Sequence, residues 1–290
     1  MTPWTDLGDG IHVRQSRAFL MNSVLLLHPE HAVVVDPGVL PSEIDDIAAR
    51  VRTSGAKAVT LVFTHAHWDH VLGRGWWPQA RTIAHDRFPA DLQRTMQWIH
   101  EEADALAAKH GETWAKRFEP FHPKELLSGL RFSKLDPWRL VFRDAFGHSD
   151  SQLSLHLPEQ HTLIAADMLS DIEVPTLNTA PSVYLATLHT LLPVASGNPI
   201  ETLIPGHGSI ARGAAAVAGR FRRDLDYLET LDRRTRELRA KGVPLERAQQ
   251  ELAAMDDVER HSEFPMKEIH QKNIELAYQG NAAAAAHSGS

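Results

Sequence analysis

The stretch Thr64-His65-Ala66-His67-Trp68-Asp69-His70 puts three imidazoles and a carboxylate directly behind the apolar run Ala58-Val59-Thr60-Leu61-Val62-Phe63. The chain has no cysteine. Thiolate zinc sites, disulfides and thiol nucleophiles are therefore excluded, and any metal must be held by nitrogen and oxygen. Side chains alternate in an extended segment, so His65 and His67 point to the same side and reach one ion. A helix starting near Trp68 turns Asp69 and His70 to another side, where they serve a second ion. Simple packing explains the cluster poorly, because burying Asp69 among three imidazoles without return is costly. The other histidines, including His28, His31, His110, His161, His261 and His287, read as ordinary surface or packed residues.

Three later positions repeat the logic. His148 stands in Gly147-His148-Ser149, Asp167 closes the apolar run Thr162 to Ala166, and His207 stands in Pro205-Gly206-His207-Gly208. Singly, each fits a tight turn or a helix cap. Together, each just past a strand end, they can converge at one end of a sheet sandwich.

The elements that must position them follow from periodicity and breakers. Strands are expected at 11–14, 18–27, 32–35, 58–63, 81–84, 139–143, 152–157, 162–166 and 201–204. Helices are expected at 41–51, from Asp86 to about Phe118, at 182–195, and throughout the section beyond residue 211. Strands in two groups separated by helices indicate sheets packed on each other with helices outside.

In these residues the chain resembles the metallo-β-lactamase-fold hydrolases. Asp36 fits the first of that family's five motifs, the segment His65 to His70 the second, His148 the third, Asp167 the fourth and His207 the fifth, over about residues 10 to 212. The resemblance implies an α/β fold, a four-layer αββα sandwich: a catalytic domain at 1–212 with a helical lid insertion at 86–138, a helical C-terminal section at 213–280, and a disordered tail or appended remnant at 281–290. It also implies a two-metal site. His65, His67 and His148 would hold one ion, Asp69, His70 and His207 the other, and Asp167 would bridge them, with Asp36 orienting a ligand. Asp69 and Asp167 are the expected catalytic carboxylates. Two positions depart from many relatives: Asp150-Ser151-Gln152 follows the third-motif turn where Gly-Ser is common, and Ala166 precedes Asp167 in place of glycine.

The ligand set suits two divalent ions, zinc first, with iron or manganese as alternatives. The expected activity is hydrolysis by a metal-bridging hydroxide of an ester, thioester, lactone or related small molecule. The bridging aspartate resembles the glyoxalase II and lactonase branch rather than the β-lactamases, although no basic motif for glutathione carboxylates is visible. Two alternatives remain: a persulfide dioxygenase-like oxidoreductase with iron on His65, His148 and Asp167, and a non-catalytic sensor on the same fold. With 30 basic and 37 acidic residues, and a net charge of −7, nucleic acid is not an expected partner. Neither a secretory leader nor a membrane span is visible, so a soluble cytoplasmic protein is expected, with homo-oligomerisation through the C-terminal helices an open option. Trp98, Trp114, Phe118, Phe121 and Trp138 read as a lid wall or as ordinary packing. Trp68, Trp76 and Trp77 are equally ambiguous. Asp171 and Glu173 read as loop charges or substrate contacts, and His270 and Tyr278 as packing residues.

Overall fold

Short apolar runs rich in valine, leucine and isoleucine fill the first half of the chain, and the longest of them become strands. The computed structural model describes residues 4–197, 199–255 and 263–287. The chain divides into two units, one of Met1–Asp144 with Asp150–Ala166, the other of Ala145–Ser149 with Asp167–Ser290.

In the first unit, β1 (Trp4–Gly8), β2 (Ile11–Gln15), β3 (Asn22–Leu27), β4 (His31–Val35), β5 (Ala58–Val62), β6 (Arg81–His85) and β7 (Glu125–Leu127) form a seven-stranded sheet in that order. The first four are antiparallel, and β4 to β7 are parallel. Parallel neighbours need crossovers. They are supplied by α1 (Pro41–Thr53), by the short α2 (Trp68–Val71) with a 3-10 turn at Leu72–Trp76, and by α3 (Phe88–Lys109). Pro41 opens α1, where its missing N–H would have had no partner.

Both faces of the parallel region are buried, so its strands read as continuous apolar runs. On one face Leu25, Ala32, Val34, Leu61 and Ala84 pack with Ile44, Ile47 and Val51 of α1 and with Phe88, Leu92 and Ile99 of α3. The alternate residues Leu26, Val33, Val35, Val62 and Ile83 are buried on the other face. Shortening any of the leucines or isoleucines among these core side chains to alanine costs about 2–5 kcal/mol. The same unit holds an antiparallel run of β8 (Arg131–Leu135), β9 (Trp138–Asp144), β10 (Leu153–Leu157) and β11 (Thr162–Ala166).

The second unit contains α4 (Pro181–Gly197), the hairpin β12 (Thr202–Pro205) and β13 (Ala211–Arg212), then α5 (Ala214–Ala240), α6 (Leu245–Leu252) and α7 (Met266–His287). Phe221, Leu228 and Leu231 of α5, Ala248 and Leu252 of α6, and Ile274 and Ala277 of α7 are buried. Among them lies a polar chain. His270 Nε2 donates to Leu252 O at 2.9 Å, which leaves Nδ1 to accept from the Tyr227 hydroxyl at 2.8 Å. Asn273 Nδ2 donates to Tyr227 Oη at 2.9 Å and to Pro175 O at 2.7 Å, and Asn273 Oδ1 accepts from Leu177 N at 2.9 Å. A buried polar group needs such partners, and these tie α5, α6 and α7 to the segment after Asp167.

Several expectations need correction. The strand expected at 18–27 starts at Asn22, because Phe19 and Leu20 take left-handed φ values of 55° and 47° in a turn closed by Ser16 N donating to Met21 O. The insertion is only partly helical: α3 stops at Lys109, and β7 and β8 follow within 86–138. Its aromatics are mostly core. Trp138, 3% exposed, begins β9 and meets His28 edge-on; Phe118 is buried, Phe121 stacks near Phe63, and Trp114 donates to Ala103 O. Trp98 is the exception, at 53% exposure. The expected tail is helix as far as His287, since the run Ala282 to Ala286 has the highest helix propensity available. His261 and the side chain of His287 lie outside the described residues. Among the described residues no helix is long and apolar enough to cross a membrane.

Two predictions follow from this packing. A Cβ on Gly73 would sit 2.0 Å from Pro37 O, so Gly73→Ala is expected to lose about 1–3 kcal/mol in urea unfolding. Burial holds the His270 imidazole below the ordinary histidine range, against the opposing pull of the Leu252 carbonyl. Its contribution to stability is therefore full above about pH 6.5 and is lost as the pH falls from there. Unfolding free energies measured between about pH 8 and about pH 5 should drop on the acid side, less steeply in His270→Phe.

Candidate metal centre

Open sheets offer their ligand sites at the carboxyl ends of parallel strands. Asp36 follows β4 and the histidine segment follows β5, and Val35 pairs with Val62, so the two strands end level. The crossing is sealed by Asp36 N donating to Val62 O at 3.0 Å. Asp36 takes a left-handed φ of 50°, a conformation that aspartate tolerates better than most residues.

The Asp36 carboxylate, 2% exposed, is met by three donors. Thr64 N donates to Oδ1 at 2.8 Å, while the Thr64 hydroxyl at 2.7 Å and His70 Nδ1 at 2.9 Å both reach Oδ2. Because the only Thr64 hydroxyl proton goes to Asp36, its oxygen must accept from His65 Nδ1, 3.0 Å away. Both histidines are thereby set as Nδ1–H tautomers, with the Nε2 lone pair left for coordination. One carboxylate orients two imidazoles, the second through a threonine.

The rest of the segment gathers closely. The ring of His65 lies 4.5 Å from that of His67 and 4.2 Å from that of His70, centre to centre, and His70 Nε2 lies 3.6 Å from Asp69 Oδ2. The backbone is pinned from neighbouring elements: Leu153 N donates to Thr64 O at 2.8 Å, and the Thr95 hydroxyl of α3 to Ala66 O at 3.2 Å. Trp68 packs edge-on against Phe19, and Trp76 donates to Asp45, so both are anchored by packing.

The second unit brings His148, Asp167 and His207 together. His148 Nε2 lies 3.3 Å and His207 Nε2 3.5 Å from the same oxygen, Asp167 Oδ2. Both distances exceed those of good hydrogen bonds, and imidazole nitrogens and a carboxylate oxygen are donor atoms of the kind a divalent cation takes. His148 Nδ1 faces Thr176 O at 3.2 Å, which again leaves Nε2 for coordination. Its turn is fixed by close approach: Gly147 has φ 129°, and a Cβ there would fall 2.5 Å from the Tyr184 side chain. Asn178 N donates to Gly147 O, and Thr187 to Phe146 O. Tyr184 also donates to Asp167 O at 3.3 Å.

Ala166, immediately before Asp167, has φ 51°, so the position read as a departure from glycine is a left-handed one. Alanine tolerates that conformation at a cost of roughly 1–2 kcal/mol. Asp171, read as a loop charge or substrate contact, is a loop charge with partners of its own. It accepts from Ser209 N at 2.8 Å beside His207 and pairs with Arg220 at 3.1 Å. Phe264 stands edge-on to His207, with ring centres 5.1 Å apart. His270 and Tyr278 are packing residues, Tyr278 donating to Val243 O. Thr64, Tyr184, Asn273 and Phe264 were missed as positioning residues. Thr64 sits in plain view within the motif, but nothing local in the sequence marks the other three.

The family model of the metallo-β-lactamase superfamily matches residues 17–215. The chain belongs to that superfamily. Its members are generally hydrolytic and typically bind metal ions, and the chain has their sandwich fold, as the motifs implied. Comparison with curated proteins finds no match. Among solved structures, the stereoselective inverting sec-alkylsulfatase Pisa1 from Pseudomonas sp. is similar with a TM-score of 0.71 at 14% identity, over 95% of this chain and 49% of that one. The chain thus spans about half the length of that relative. A metallo-β-lactamase from Pontibacter korlensis has a TM-score of 0.55 at 14% identity, over 78% of this chain and 98% of its own. VMB-1 has a TM-score of 0.53 at 12% identity, over 78% of this chain and 97% of its own. The superfamily's metals fit the donors present, since neutral imidazoles and carboxylates without thiolates suit zinc, iron or manganese.

The tautomer assignment is testable. Imidazole nitrogen NMR should show His65 and His70 with the proton on Nδ1. Thr64→Val should disturb His65 more than His70 and cost about 1–3 kcal/mol, because a buried carboxylate and a buried imidazole each lose a partner. Thr64→Ser should restore both.

Proposed function

We propose that this chain is a dinuclear metal-dependent hydrolase of small molecules carrying an ester, thioester, lactone or related group. The observation that carries the reading is Asp167 Oδ2 set between His148 Nε2 and His207 Nε2. In this reading His65, His67 and His148 would hold one ion, Asp69, His70 and His207 would hold the other, and Asp167 would serve both. The ions, zinc in the first instance, would supply a water activated near neutral pH and a Lewis acid for the attacked centre.

The protein's own groups do the rest. Asp36 and Thr64 keep His65 and His70 in the coordinating tautomer, and the Thr176 carbonyl does so for His148. Asp69 and Asp167 are the catalytic carboxylates, and Asp167 would hold the proton lost by the attacking water and return it to the leaving group. The acidic net charge supports a small-molecule substrate over nucleic acid. A cytoplasmic location remains part of the proposal.

A sulfate ester is the second substrate class to try, because the likeness to the sec-alkylsulfatase extends over 95% of this chain, against 78% for the two β-lactamase structures. The test is metal analysis of protein purified without added metal, read against turnover of thioester, lactone, aryl ester, secondary alkyl sulfate and β-lactam substrates. About two zinc ions per chain are expected, with hydrolysis that falls by at least about 100-fold in Asp167→Asn. One iron per chain with oxygen uptake, or hydrolysis unaffected by Asp167→Asn, would overturn the proposal.

A further inference from the structure

An open cavity of about 480 Å³ lies in the second unit, lined by one face of α5 and by Ala254 and Met255. Its α5 lining, Gly219, Arg222, Arg223, Asp226, Tyr227, Thr230 and Arg234, recurs at helical spacing, so these positions form one stripe along the helix. All of them lie apart in sequence from the metal-binding motifs. The volume is within the range of small-molecule sites.

Charge sets the chemistry. Among the described residues three guanidinium groups and one carboxylate line this cavity, in a chain whose net charge is −7, and one of the three, Arg223, also donates to Asp171 O. Of the other carboxylates of α5, Asp232 pairs with Arg236, Glu237 pairs with Arg233, Asp224 accepts from Leu169 N, and Glu229 is exposed and outside the lining. Among the described residues, none accepts a hydrogen bond from Arg222 or Arg234. The Tyr227 hydroxyl is taken up by His270 and Asn273, so that residue offers its ring as a wall, and Met255 is a second buried apolar surface.

From these observations we infer that the α5 cavity is a binding site for a small, elongated molecule with oxyanion groups on an apolar body. Guanidinium is the side chain best matched to planar or tetrahedral oxyanions through paired hydrogen bonds. Arg222 and Arg234 stand twelve positions apart, about 18 Å along the helix axis. The stripe therefore suits oxyanions at both ends of a molecule better than a single compact ion. A long-chain dicarboxylate has that form, and a phosphate ester shares its chemistry at one end.

Titration calorimetry with sebacate and with inorganic phosphate tests the site, on the protein as purified and after dialysis against a chelator. Sebacate is expected to bind saturably in both preparations, at least about tenfold more weakly in Arg222→Ala/Arg234→Ala and several-fold more tightly in Asp226→Asn. Circular dichroism and thermal unfolding of the variants establish that they fold. Phosphate binding without sebacate binding, if lost in the double variant, would keep the site and assign it to phosphate esters. Three results would overturn the inference: no saturable binding of either probe, binding unchanged in the double variant, or binding that disappears on chelation and so belongs to the metal centre.

Discussion

A carboxylate placed at the end of a buried parallel strand must find donors or be expelled, and Asp36 finds three of them. Thr64 N, the Thr64 hydroxyl and His70 Nδ1 all converge on it within 2.9 Å. The arrangement works because β4 and β5 end in register, which puts the residue after one strand beside the residues after the other. Those bonds hold the loop through His70 and also fix which nitrogen of His65 and His70 faces outward. Tautomer, loop geometry and strand register are thus parts of one constraint in the first unit.

In the second unit the same task is met by different means. His148, Asp167 and His207 sit on separate turns, and each turn is held by packing or by a side chain distant in sequence. Gly147 lets its backbone lie against Tyr184, Asp171 braces the turn after His207, and Asp224 caps Leu169 just beyond Asp167. Asn273 reaches from α7 to Pro175 and Leu177, on either side of the Thr176 carbonyl that faces His148. The C-terminal helices therefore act as a scaffold for the motif loops. They reach them through buried hydrogen bonds, which keep their strength where water is excluded.

The candidate ligands were legible because metal-binding chemistry restricts residue type tightly, and because two-residue spacing on an extended segment has a simple geometric meaning. The parallel strands were legible for a similar reason, since burial on both faces forces a continuous apolar run. Short edge elements escaped notice. β1, β7, β8 and β13 carry mixed or exposed residues, and β8 holds Phe132 at 78% exposure. Their pairing depends on neighbours supplied by other parts of the chain, which is why strand propensity transfers poorly between contexts.

By itself the sequence determined the superfamily and the absence of thiolate chemistry and marked out the candidate ligands, because each rests on residue identity and order. Only the tertiary structure decided that Thr64 links His65 to Asp36, that Asp171 is a brace, that most lid aromatics are core, and that Asn273 supports the loop beside His148. Those roles depend on contacts between residues as many as 98 positions apart. Such contacts leave no periodic or local trace, since a hydrogen bond constrains distance and angle in space and places no demand on separation along the chain.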